Sequence, residues 1–148
     1  MKLIHGIDQS GTAGKTGSRF DGVVHNYLTM PSTDGVTINT VSFTPGARTF
    51  WHEHENVQIL QVLAGEGLVG TETQVRVLKA GDTVWCPPGE KHWHGAAKGS
   101  FMTHTAISLG TTSWGDPVPD DDYQNAGLFV HNAQTATSSD TAQPGVNR

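Results

Sequence analysis

The chain has 148 residues, enough for one domain that buries a core without disulfide staples. Charged residues make up 16 % and hydrophobic residues 35 %, a balance that fits neither a disordered nor a membrane-embedded chain. The formal net charge is −5 with no basic run, which excludes nucleic acid as a natural partner, and the single Cys86 excludes an internal disulfide.

The acidity is concentrated late. From Thr111 onward there are five acids and one base, against nine acids and eight bases before it. The N-terminus lacks a positive region followed by an apolar core, and no apolar stretch is long enough to span a bilayer. These features predict a cytoplasmic protein with no membrane contact.

Residues 1–19 are polar and rich in Gly, Ser and Thr, and are expected to form an N-terminal loop or arm. Gly14-Lys15-Thr16 hints at a phosphate loop, but that motif needs a Gly five residues before Gly14, where Gln9 stands. Strand-like runs follow at Val23–Leu28, Val36–Phe43, Thr49–His54, Gln58–Ala64, Gly67–Gly70, Val75–Leu78, Asp82–Cys86, Lys91–Ala97 and Phe101–Leu109. Turn chemistry separates them at Pro45-Gly46, Gly65-Glu66-Gly67, Ala80-Gly81-Asp82, Pro87-Pro88-Gly89 and Lys98-Gly99-Ser100. Eighteen glycines and seven prolines with few helical patterns predict an all-β sandwich or barrel over residues 20–110. The stretches 36–70 and 75–109 look alike in plan, as a jelly roll of two Greek keys requires. Residues 111–148 read as a C-terminal extension packing on the barrel or on a partner, with Trp114, Val118 and Tyr123 as its candidate contacts.

Eight histidines is a high count for this length, and four fall in two close pairs, His52/His54 and His92/His94. Residues two apart on a strand share a face. Paired imidazoles facing a small interior need a partner, because an unpartnered polar ring there is costly. A divalent metal supplies one; mutual hydrogen bonding among core histidines is the competing explanation. His94 shares its face with His92. His104 lies on the strand Phe101–Leu109 with Met102, Ala106 and Ser108 on the same face. Either His94 or His104 is placed to act as a general acid/base or to orient a metal ligand. His5, His25 and His131 have no such context.

The spacing Gly46, five residues, His52-Glu53-His54, three residues, Gln58, six residues, Gly65 resembles the first motif of the cupins. The spacing Gly81, five residues, Pro87-Pro88-Gly89, two residues, His92 resembles the second. The departures are Gln58 where most cupins carry Glu, and Ala96 at the motif's terminal Asn. The resemblance implies a single-domain cupin jelly-roll barrel with His52, His54, Gln58 and His92 on one metal. Three imidazoles and an amide are neutral, so the ion keeps its full charge and acts as a strong Lewis acid. Such a set is unlike the two-His, one-carboxylate arrangement common in iron oxygenases.

A narrower resemblance covers about residues 20–123. Pro45 to Thr49, Gln58, Pro87 to Ala97, Met102 to His104 and the Trp114–Tyr123 stretch are similar to small bacterial cupins that include manganese-dependent hydroxynitrile lyases. This implies cyanohydrin cleavage or formation on a small-molecule substrate, with Mn(II) favoured over Fe(II), Ni(II) or Zn(II). His104 matches a histidine that lies behind the metal ligands in those lyases, and His94 and His104 are the candidate catalytic residues. The resemblance also implies a homodimer or homotetramer. Ser108 stands where those lyases carry Gln, and Asn39 replaces a small apolar residue. With Val41 these are the candidate pocket residues. Two other activities fit the same ligand set: a dioxygenase of small enolisable or phenolic compounds, and a module that binds a small ligand without turnover.

Overall fold

A computed structural model describes residues 1–6, the backbone of 11–14, and residues 19–124. Gly14-Lys15-Thr16 in part, His131, and the tail from residue 125 lie outside the described residues. Twelve strands run in chain order: β1 Gly11–Gly14, β2 Phe20–Asp21, β3 Val24–Thr33, β4 Val36–Phe43, β5 Arg48–Thr49, β6 His52–His54, β7 Gln58–Thr71, β8 Val75–Lys79, β9 Thr83–Cys86, β10 His92–Ala96, β11 Met102–Leu109 and β12 Thr112–Trp114. One helical turn follows at residues 120–124. Among the described residues no helix is long and apolar enough to cross a membrane.

All pairings are antiparallel, in the order β1-β3-β4-β11-β7-β10-β5-β2, with β8 and β9 also on β7, and β6 between β10 and β12. The long strand β7 joins the two walls of a nearly closed barrel. Its first half pairs with β9 and β11, and its second half with β8 and β10. This is the all-β jelly-roll architecture expected from the short strands and turn residues.

Four details depart from the expected elements. Gly65-Glu66-Gly67 is not a turn, because β7 runs through it as one strand. Gly65 adopts φ +77°, and the β7–β11 register shifts at Thr103/His104. A glycine takes this left-handed backbone at no steric cost, so the local pattern of a turn here bends a strand instead. Thr49–His54 is interrupted at Phe50 and Trp51, where the chain passes from a β10–β5 pairing to a β10–β6 pairing. The arm predicted at residues 1–19 contains β1, which pairs with β3. Finally, β12 extends the sheet past Gly110 by pairing with β6.

Strand alternation divides the side chains. On β11, Met102, His104, Ala106 and Ser108 face inward and are buried. One end of the interior is apolar, built from Val24, Val41, Phe43, Val62, Val69, Leu78 and Met102. The histidines occupy the remaining space.

β10 is buried on both faces. Trp93 points away from His92 and His94 and packs with Leu68, Val118 and Tyr123. The segment carrying Val118 and Tyr123 is held by Arg48, whose Nη2 donates to Val118 O (2.9 Å) and Asp120 Oδ1 (2.7 Å). The Arg48 guanidinium also lies over the Tyr123 ring at 4.7 Å, and Tyr123 Oη donates to Ala96 O at 2.7 Å.

β5 and β10 come very close at Gly95. A Cβ on Gly95 would sit 2.6 Å from Arg48 Cα. G95A is therefore expected to destabilise the fold by about 1–3 kcal/mol through overpacking. G99A, at a site with open space around it, should stay within about 0.5 kcal/mol of wild type. Urea unfolding of the two variants checks this.

Candidate metal centre

The two sequence motifs meet across strand pairs. His92 is in register with His52 on β6 and with Thr71 on β7. His52, His54 and His92 are buried, and their nearest ring nitrogens lie within 4.8 Å of one another. Their ring centroids are 4.4 to 5.5 Å apart.

The hydrogen bonds decide which nitrogens face inward. His52 Nδ1 donates to Phe50 O at 2.9 Å, and His92 Nδ1 donates to Glu90 O at 2.7 Å. A carbonyl only accepts, so these rings carry their proton on Nδ1 when neutral. Their Nε2 atoms are then lone pairs. His54 Nδ1 bonds Thr112 Oγ1 at 3.0 Å, and its Nε2 is buried with no hydrogen-bond partner.

Gln58 completes the cluster. Its Nε2 donates to Ser108 Oγ at 3.1 Å, which aims Oε1 at His92 Nε2, 3.0 Å away. Two acceptors at that distance repel unless a cation lies between them. Ligand atoms about 2.1 Å from one ion and at right angles lie roughly 3 Å apart. The Nε2 lone pairs of His52 and His92 and the amide oxygen thus fit a divalent ion, and with Thr112 accepting from Nδ1 the orphaned His54 Nε2 gains its missing partner there.

Electrostatics agree. Burial, and then the proximity of His92, lowers the His52 pKa to about 3; the Phe50 carbonyl opposes this. The same two causes lower His54 to about 4. Burial lowers His92. All three imidazoles are neutral at physiological pH, as ligands must be.

A second pair lies alongside. His104 Nε2 and His94 Nδ1 are 3.0 Å apart, and the His94 ring is 5.2 Å from that of His52. The outer nitrogens, His94 Nε2 and His104 Nδ1, are buried without partners. Burial, then the neighbouring histidines, lowers His94 well below its ordinary range, and burial lowers His104 to about 4. In a neutral pair one ring donates and the other accepts. Reversing that bond exchanges a proton and a lone pair between the two outer nitrogens.

A cavity of about 270 Å³ reaches this centre. Its lining includes His52, His54, Gln58, His94 and His104, together with the expected pocket residues Asn39, Val41 and Ser108. Two larger grooves, of about 430 and 330 Å³, contain none of these histidines. The sequence did not reveal Thr112, which orients His54; Trp114, whose ring stacks on His52 at 4.6 Å; or Thr49, whose hydroxyl accepts from the His94 amide at 3.1 Å. The alternation Thr112-Ser113-Trp114 just after Gly110 was the available signal for the strand that carries the first two.

Comparison with known proteins agrees with this geometry. Residues 39–104 match the model of the cupin domain. The chain is 46 % identical over 90 residues to a Granulicella tundricola protein named (R)-mandelonitrile lyase, covering 57 % of this chain and 69 % of that one. A cupin-like protein from Thermotoga maritima superposes with a TM-score of 0.75 at 35 % identity, over 78 % of this chain and 92 % of that one. A polyketide cyclase from Streptomyces resistomycificus shares the fold, with a TM-score of 0.65 at 15 % identity, covering 88 % and 99 %. The fold is a cupin β-barrel, and its histidine cluster could hold a metal ion. This chain belongs to the cupin family.

The buried His104 makes stability depend on pH. Above the ordinary histidine value of 6.5 it is neutral whether folded or unfolded. Between 6.5 and about 4 only the unfolded chain takes up the proton, so stability falls as pH falls. Urea unfolding of the metal-free protein from pH 7.5 to 4 should show wild type losing up to about 3 kcal/mol more than H104Q. Equal losses would contradict the neutral buried imidazole.

Proposed function

We propose that this cupin is a metal-dependent lyase that cleaves or forms cyanohydrins of small aldehydes. The observation that supports it best is the His94–His104 pair beside the His52, His54, His92 and Gln58 cluster, in a chain 46 % identical over 90 residues to a protein named mandelonitrile lyase. His52, His54, His92 and Gln58 Oε1 would hold the divalent ion, with Mn(II) the ion to load first. When bound, the ion supplies Lewis acidity toward a substrate oxygen or toward cyanide.

The chain's own groups have separate tasks. The His94–His104 pair takes the proton of the cyanohydrin hydroxyl as the carbon–carbon bond breaks. Cyanide leaves with that bond's electron pair, and the carbonyl product forms. Val41, Phe43 and Ala106 offer an apolar wall for the rest of the substrate. Ser108 holds the Gln58 amide in the orientation that presents Oε1. Burial favours proton handling here, since both rings return to the neutral state at neutral pH.

This reading is preferred to a dioxygenase because the relative 46 % identical over 90 residues is named a lyase, although a dioxygenase fits the same ligand set. Metal-loaded protein should release benzaldehyde from (R)-mandelonitrile, followed by absorbance. H104A should reduce the rate by about 10²-fold or more, the usual cost of losing an acid/base group. No benzaldehyde above the H104A background would sink the lyase reading.

A further inference from the structure

Among the described residues the cavity has one charged side chain in its lining. Arg19 lies there with Phe20 and Trp114, and no Asp or Glu joins them. That is unexpected in a chain with 14 acids and a net charge of −5.

Arg19 is exposed at the edge of the cavity, with its backbone anchored and its guanidinium set against an indole. Its carbonyl accepts from the Phe50 amide at 2.8 Å, two residues before His52. Its guanidinium lies over the Trp114 ring at 5.4 Å, and Trp114 in turn stacks on His52. One indole thus separates the cation from the histidine cluster. Phe20 meets Trp114 edge-on at 6.0 Å and Phe43 at 6.3 Å, which fixes this aromatic wall against the core.

Arg48 shows what a structural arginine looks like in this fold. It is buried, and its guanidinium is spent on Asp21, Asp120 and the Val118 carbonyl. Arg19 has no ion pair among the described residues. A guanidinium presents a planar fork of donors that matches a carboxylate. The nearby neutral side chains Asn39, Thr49 and Ser108 add no negative charge that would repel one.

We infer that Arg19 makes this cavity selective for an anionic substrate, a small hydroxy or carbonyl compound bearing a carboxylate. The carboxylate sits at the Arg19 fork, and the rest of the substrate extends from there into the cavity toward the histidines. This rests on reading the cavity as the substrate site. It adds to the neutral cyanohydrins of that reading a preference for compounds carrying an acid group.

The test compares (R)-mandelate with mandelamide, which has the same shape without the charge. Binding is measured by calorimetry to metal-free and Mn(II)-loaded protein, for wild type, R19Q and R19K. Metal-free wild type should bind mandelate at least about tenfold more tightly than mandelamide, the order of one charge-assisted contact. R19Q should shrink that ratio below about threefold while leaving mandelamide affinity within about twofold, and R19K should keep part of it. A ratio unchanged in R19Q overturns the inference, and so does the absence of any mandelate preference or binding in wild type. If (R)-mandelonitrile is not cleaved while the Arg19-dependent preference persists, the lyase reading fails and this one stands.

Discussion

The site depends on where three imidazole protons sit. The Phe50 and Glu90 carbonyls take the Nδ1 protons of His52 and His92, and Thr112 engages Nδ1 of His54. What remains is a set of ring nitrogens, joined by the Gln58 oxygen, converging on a buried cluster at the end of the cavity. Acceptors do not cluster in that way without a cation. The side chains that could hold an ion here are neutral, so they would leave its full charge available to whatever enters the cavity.

The rest of the fold serves that convergence. Strand alternation sends His92 and His94 inward and Trp93 outward, where residues 118–123 cover it. β10 is therefore clamped from both sides, and both of its histidines are fixed. Gly95 lets β5 approach closely enough for Arg48 to tie the covering segment down. β11 delivers His104 to His94 and Ser108 to Gln58 from one inward face, so a single strand supports both the histidine cluster with Gln58 and the His94–His104 pair.

Much of this was legible in the sequence because it follows from short periods. His-x-His spacing puts two rings on one face, and Val36–Phe43 has the bounds its β-branched residues predicted. The Gly and Pro spacings of the two motifs led to the family. What was not legible depended on tertiary contacts. Gly65-Glu66-Gly67 has the composition of a turn, but pairing on both sides draws it into β7. β12 has only three residues and is a strand because β6 is there to receive it. Arg19 lies in a polar segment with no periodicity, and only the fold brings it over Trp114. The orientation of the Gln58 amide is likewise set by Ser108, fifty residues away in the chain.

We propose that one ion is held by four neutral groups, His52, His54, His92 and Gln58. Metal-free protein titrated with Mn(II), with free ion followed by electron paramagnetic resonance, tests it directly. Wild type should take up one ion per chain. H54A, which removes the lone pair that has no other partner, should lose that uptake at the same concentrations. Uptake unchanged in H54A, or no uptake by wild type, would contradict the account.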